Sequence, residues 1–318
     1  MIQVVEVGPR DGLQNEPAVL GTAQKVDLIE RLVTAGARRI EIVSFAHPAR
    51  VPQMADAEAV AGHFAQRGDF SRIGLVMNRR GWQRAQQVEL DEVNIPVGVT
   101  NGFNQANVAA TPEETIDFIA EVAAAQRVPV TGTISVAFGC PYEGEVAEAA
   151  VVDVARRLVA AGCVEICLAD TIGVADPWTV RARIAAVRAV TATVPLRVHF
   201  HDTRHTGIAN TIAAIEAGIG AVDASVGGIG GCPFAPKATG NIATDDLVYA
   251  LHRAGLPTGI DLGRLIEVSG WVGEILGIVP PSALLRAGGF PGPAGGSDLQ
   301  PDHAPGDHPE EKPGQADG

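Results

Sequence analysis

Short β-branched runs alternate along this chain with longer segments whose apolar residues recur at helical spacing. The runs predict strands over residues 3–7, 39–44, 72–77, 92–96, 130–137, 164–169, 196–201 and 221–225. Between them Val26, Ile29 and Val33 mark one helical stripe, and Ile116, Ile119, Ala120 and Ala123 a second. A third runs through Val151, Val154, Ala155 and Leu158. Thr111-Pro112-Glu113-Glu114 reads as a helix start, with a capping hydroxyl, proline at the first helical position and acids in the first turn. Gly36, Gly162, Gly218 and Gly255 each follow a helical run, where a left-handed residue ends the helix without a Cβ penalty.

Eight strands alternating with helices over about 250 residues predict an α/β fold of the (β/α)8 TIM-barrel type. An open doubly wound sheet gives the same alternation. No GxGxxG or Walker loop follows an early strand, so the nucleotide-binding versions of that sheet lose weight. One further helical segment spans 260–277 and is expected to pack beside the barrel end. The barrel is therefore assigned to residues 1–290, with 291–318 as a disordered acidic tail rich in Pro and Gly.

Composition narrows the function classes. Apolar residues make up 46% and charged ones 19% of the 318, a globular balance. No stretch approaches a transmembrane span, and the start is too short and lightly flanked for a signal peptide, so a cytoplasmic protein without membrane contact is expected. The net charge of −13 argues against nucleic acid as a partner; six acids and one lysine from Ser297 onward place part of it in the tail. Cys140, Cys163 and Cys167 read as buried small residues, and none of the four cysteines has the spacing of a disulfide or zinc framework.

In a barrel, chemistry gathers at the C-terminal ends of strands. Strand 1 ends in Gly8-Pro9-Arg10-Asp11-Gly12, strand 2 carries Glu41, strand 6 ends at Asp170-Thr171, and strand 7 delivers His199-Phe200-His201. Residues two apart on a strand share a face, so both imidazoles can enter the mouth. With Asp11 and Asn241 they would make an N/O site suited to Mg²⁺ or Mn²⁺, with hydrogen-bonded core histidines as the bland alternative. Arg10 can close the mouth as an ion pair or face developing enolate charge. Glu41 needs a partner in an apolar strand, for which Arg10 or a metal-bound water serves. Asp170 can cap the following turn or touch a substrate hydroxyl. Cys232, on the loop Gly227-Gly228-Ile229-Gly230-Gly231-Cys232, fits a thiol acid or base, although those glycines also suit plain tight turns.

The ordered motifs resemble the 3-hydroxy-3-methylglutaryl-CoA lyases. They include Val7-Gly8-Pro9-Arg10-Asp11-Gly12-Leu13-Gln14-Asn15-Glu16, Glu41-Ile42-Val43-Ser44-Phe45 and Gly139-Cys140-Pro141-Tyr142-Glu143-Gly144. Asp170-Thr171-Ile172-Gly173-Val174, His199-Phe200-His201-Asp202-Thr203 and the segment from Gly227 to Thr244 complete the set. The resemblance implies a metal-dependent barrel lyase in which Asp11, His199, His201 and Asn241 hold Mg²⁺ or Mn²⁺. Arg10, Glu41, Asp170 and Cys232 would then serve catalysis, with Gln14, Ser44, Thr100 and Thr171 expected at the substrate. It implies an acyl-CoA substrate, retro-Claisen cleavage to acetoacetate and acetyl-CoA, and a homodimer. Asn101, Arg204-His205 and Val279 depart from the family's pattern, all at the border of the substrate region. A lyase for a related hydroxyacyl thioester is the alternative reading, and a condensing enzyme on the same barrel a more distant one.

Overall fold

A computed structural model describes residues 1–231 and 240–290; Cys232 and the 291–318 tail lie outside the described residues. Eight parallel strands close into a barrel: β1 (Gln3–Glu6), β2 (Arg39–Ser44), β3 (Ser71–Leu75), β4 (Glu92–Gly98), β5 (Val130–Ser135), β6 (Glu165–Asp170), β7 (Leu196–Phe200) and β8 (Ala221–Ala224). β8 returns to β1 in the register Gln3 to Ala221 through Glu6 to Ala224. Each sequence-predicted strand is present, with ends shifted by up to two residues.

Helices fill the outer ring. In chain order they are α1 (Thr22–Thr34), α2 (Ala57–His63), α3 (Arg79–Ala85), α4 (Asn101–Val108), α5 (Pro112–Ala124) and α6 (Glu148–Ala160). They continue with α7 (Pro177–Thr191), α8 (Gly207–Glu216), α9 (Thr244–Arg253), α10 (Leu262–Leu276) and α11 (Ala283–Ala287). The α6 stripe buries all four of its expected residues. On α1 the buried face centres on Leu28 and Leu32 and takes in Lys25, whose ammonium is paired with Asp56, so Val26 lies at its margin. α5 starts as expected: Thr111 Oγ1 accepts from Glu114 N at 3.1 Å while Thr111 N donates to Glu114 Oε2 at 2.8 Å. The four helix-ending glycines all have positive φ, from 71° to 108°. At Gly36 a Cβ would also stand 2.3 Å from Gly259 O, so only glycine fits.

The apolar core lies between strands and helices, whereas the barrel interior is polar. Val5, Val7 and Ile73 form a small separate apolar cluster. Below them Arg39 on β2 reaches Glu165 on β6 with bonds of 3.0 and 2.6 Å, a contact between non-adjacent strands that must cross the interior. Arg39 also binds Glu92 at 2.7 Å, and Arg197 lies 3.3 Å from both Glu165 and Asp223. Glu92, Glu165, Arg197 and Asp223 are buried and Arg39 is half-buried, so their charges are held as an ion-paired set. α10, with α9 and α11, packs at the end where β8 leads out, as expected for the extra helix.

Candidate active site

At the C-terminal end of β1 the chain makes a single π-helical turn, Gly8–Gly12. Val7 O accepts from the N–H groups of Arg10, Asp11 and Gly12 at 3.1, 2.7 and 3.2 Å. The turn carries Arg10 and Asp11 at the mouth, where their side chains are paired with each other. Arg10 forks onto Glu41, with Nε to Oε2 at 2.6 Å, and also bonds Asp11. Glu41 is completed by Asn94 Nδ2 at 3.0 Å, and Asn94 Oδ1 accepts from Thr133 Oγ1 at 2.6 Å. Arg10 is therefore the partner that Glu41 requires.

His199 and His201 stand on one face of β7, their ring centroids 5.2 Å apart. One ligand atom from each of Asp11, His199 and His201 lies within 4.8 Å of the others, a group able to hold a metal ion. Asn241 joins them, donating Nδ2 to Asp11 Oδ2 at 2.8 Å and pairing through its backbone with His201. Two buried atoms there, His201 Nδ1 and Asn241 Oδ1, have no hydrogen-bond partner among the described residues. Uncompensated lone pairs beside a carboxylate are costly unless a cation collects them, so the donor set fits a hard divalent ion.

The electrostatics agree. Burial alone would raise Asp11, but Arg10, the two imidazoles and Asn241 outweigh it and hold the carboxyl well below its usual range. Burial, with His199 beside it, lowers His201 to about 4 and leaves it a neutral donor. Burial also pulls His199 down, yet the hydrogen bond to Asp223 and the nearby carboxylates raise it overall.

The remaining sequence-predicted residues are placed around the mouth. Asp170 is fully buried and its two oxygens accept from Val174 N and Ala175 N at 3.0 and 2.9 Å; burial raises its carboxyl. Its contacts among the described residues are thus those of the turn cap. Thr171 Oγ1 accepts from Val136 N at 2.9 Å, Thr100 Oγ1 meets Cys140 Sγ at 3.0 Å, and buried Ser44 accepts from Ala46 N at 3.2 Å. Gln14 Oε1 is buried without a hydrogen-bond partner among the described residues. Asn101 opens α4, and Arg204 donates to the carbonyls of Ile172 and Gly173 at 3.0 and 2.7 Å, bracing the loop after β6. Sequence reasoning missed Asn94, Arg197 and Asp223. Asp223 carried the same signal as Glu41, a lone acid in an apolar strand.

The stem of the Cys232 loop is tied to the Arg10 turn by Glu6. Its Oε1 accepts from Gly8 N at 2.7 Å and Val226 N at 2.9 Å, and its Oε2 from Thr244 Oγ1 at 2.7 Å. Burial pushes this carboxyl up to about 7 although those three donors pull the other way. The folded protein therefore keeps a proton that the unfolded chain releases in the ordinary glutamate range. Stability from this group is complete below about pH 4.3 and is lost as pH rises through about 7. Glu6→Gln can keep both backbone contacts at Oε1, with the Thr244 hydroxyl turned to accept. In urea titrations from pH 4 to 8, the wild type should lose about 3 kcal/mol relative to the variant. Parallel pH profiles would show that Glu6 titrates normally.

Comparison with known proteins agrees with this geometry. A family model described as HMGL-like matches residues 1–272. A (R)-citramalyl-CoA lyase of Chloroflexus aurantiacus is 42% identical over 300 residues, 90% of this chain and 95% of the relative. The mitochondrial hydroxymethylglutaryl-CoA lyase of Rattus norvegicus is 40% identical over 289 residues, covering 90% and 89%. Among solved structures, an HMG-CoA lyase of Acinetobacter baumannii in complex with coenzyme A and 3-methylmalate superposes with a TM-score of 0.87 at 38% identity. That match covers 92% of this chain and 98% of the other. In sequence and in fold, this chain belongs to the HMGL-like family, and it is a lyase.

Proposed function

We propose that the chain cleaves 3-hydroxy-3-methylglutaryl-CoA to acetoacetate and acetyl-CoA. The observation that carries this reading is the convergence of Asp11, His199, His201 and the unpaired Asn241 oxygen beside the Arg10–Glu41 pair. Mg²⁺ or Mn²⁺ held by those four residues would polarise the substrate's tertiary hydroxyl and a neighbouring oxygen. In the cleavage the hydroxyl proton would pass to the Asp170 carboxylate, C3–O would become the ketone of acetoacetate, and the C2–C3 electron pair would pass into the thioester enolate. Arg10, kept in place by Glu41, faces that enolate charge. Cys232 returns a proton to C2, making the methyl group of acetyl-CoA. Asp170 is assigned to the substrate hydroxyl, with Gln14, Ser44, Thr100 and Thr171 lining the acyl group. Exposed Arg50 or Arg286 would supply local positive charge for CoA, and a cytoplasmic homodimer completes the reading.

A second substrate is favoured by a specific observation. Citramalyl-CoA, acted on by the Chloroflexus relative, and 3-methylmalate, held in the Acinetobacter structure, both place a carboxylate next to the carbinol carbon. The same bond cleavage on citramalyl-CoA releases pyruvate in place of acetoacetate. Purified protein should be given each thioester separately with Mg²⁺ or Mn²⁺. Acetoacetate with acetyl-CoA is expected; pyruvate alone would move the substrate to citramalyl-CoA. Bound metal with neither product would defeat both named substrates and point to another hydroxyacyl thioester, with Asn101, Arg204 and His205 as its marks.

A further inference from the structure

We propose that Asp223, held by Arg197, is a positioning residue that decides which nitrogen of His199 faces the metal position. The inference rests on the metal-site reading above. Alternation along β7 puts Arg197, His199 and His201 on one face, and the β7–β8 register places His199 opposite Asp223. His199 Nδ1 lies 3.2 Å from Asp223 Oδ2, while His199 Nε2 points the other way, 4.0 Å from Asp11 Oδ2. A carboxylate only accepts, so the ring nitrogen facing it carries the proton and Nε2 is left as a lone pair.

The other carboxylate oxygen, Oδ1, has no hydrogen-bond partner among the described residues and is faced from below by a guanidinium as an ion pair. Arg197 Nε stands 3.3 Å from Asp223 Oδ1 and from Glu165 Oε2, and its Nη1 lies 3.9 Å from Glu92 Oε1. The Cys167 thiol adds a long contact to Asp223 Oδ2 at 3.9 Å. Arg197 is itself buried and ion-paired with acids from three strands, which keeps its charge on the Oδ1 side of Asp223. It therefore fixes which way the Asp223 head is turned. His201 Nδ1, unlike His199 Nδ1, has no hydrogen-bond partner among the described residues.

Asp223→Asn tests this because Arg197 dictates the amide's orientation. The amide oxygen should turn to the guanidinium and the NH₂ to His199 Nδ1. That nitrogen must then accept, the proton moves to Nε2, and the lone pair facing Asp11 is lost. Mn²⁺ affinity, followed by calorimetry, is expected to fall about 10–100-fold. Long-range ¹H–¹⁵N spectra of the metal-free wild type, taken at a pH where His199 is neutral, should show the ring protonated at Nδ1, a readout that needs no variant. A neutral His199 protonated at Nε2 in the wild type, or unchanged Mn²⁺ affinity in Asp223→Asn, would overturn the inference. Failure of the wild type to bind Mn²⁺ at all would instead count against the metal-site reading on which it rests.

Discussion

Replacing Arg10 with glutamine should lower turnover about 100–1000-fold and destabilise the fold, and a double variant should separate the two effects. Arg10 and Glu41 are both buried, 8% and 1% exposed, and the guanidinium is their shared point of attachment to Asp11. Burial pushes the Glu41 carboxyl up, and Arg10 is the charge that opposes this most. Removing the cation leaves an uncompensated carboxylate, which in buried pairs costs about 3–5 kcal/mol. Arg10→Gln with Glu41→Gln restores a neutral, hydrogen-bonding pair and should recover most of that stability. It cannot restore positive charge facing the enolate, so kcat should stay low while the melting temperature rises. Recovery of both together would mean that the pair does no more than close the barrel mouth. Arg10→Lys is not an adequate substitute, because an ammonium cannot bond Glu41 through two nitrogens and Asp11 through a third in the fixed fork that Arg10 uses.

Much of this site is legible in the amino-acid sequence, and the reasons are local. Strand periodicity is enough to put His199 and His201 on one face, and the barrel rule puts Asp11 and Arg10 at the same end. Glu41 stands out as a charge in an apolar run, and its partner is the nearest arginine in that frame. What stays hidden depends on pairing across the interior. Arg39 meets Glu165 from a strand on the far side, 126 residues away, and nothing in either local sequence specifies the other. Arg197 and Asp223 are hidden for the same reason, although their spacing on β7 and β8 places them beside His199. Asp170 shows the converse limit. Its sequence position allows both a turn cap and a substrate contact, and the hydrogen bonds to Val174 and Ala175 show only the first. α4 escapes the periodicity because Asn101-Gly102-Phe103 lacks an apolar stripe; Glu143 Oε1 accepts from Gly102 N at 2.7 Å and secures its first turn instead.

Cys232→Ala should lower turnover about 100–10,000-fold while leaving Mn²⁺ affinity unchanged, the size expected for loss of a placed proton donor. The residue lies outside the described segments, but its stem does not. Asn15 Nδ2 donates to Gly231 O at 3.0 Å, and Gly230 N donates to Glu16 Oε1 at 3.2 Å. Gly230 has φ of 104° and packs so closely on the Asp11 turn that a Cβ there would stand 2.8 Å from Gly12 Cα. Gly230, two residues before Cys232 in the sequence, therefore lies against both the Asp11 turn and Asn241. The other cysteines are poorer donors. Burial pushes Cys163 up to about 12 and Cys167 higher still, which leaves Cys140, bonded to Thr100, as the only competitor. Exchange of acetyl-CoA methyl protons with D₂O isolates the proton step from carbon–carbon cleavage. Wild type and Cys140→Ala should both exchange, and Cys232→Ala should not. Loss of exchange in Cys140→Ala with full exchange in Cys232→Ala would transfer the donor to the β5 side of the mouth. Arg10 would still face the enolate, but the proton would reach it from the Thr100 side.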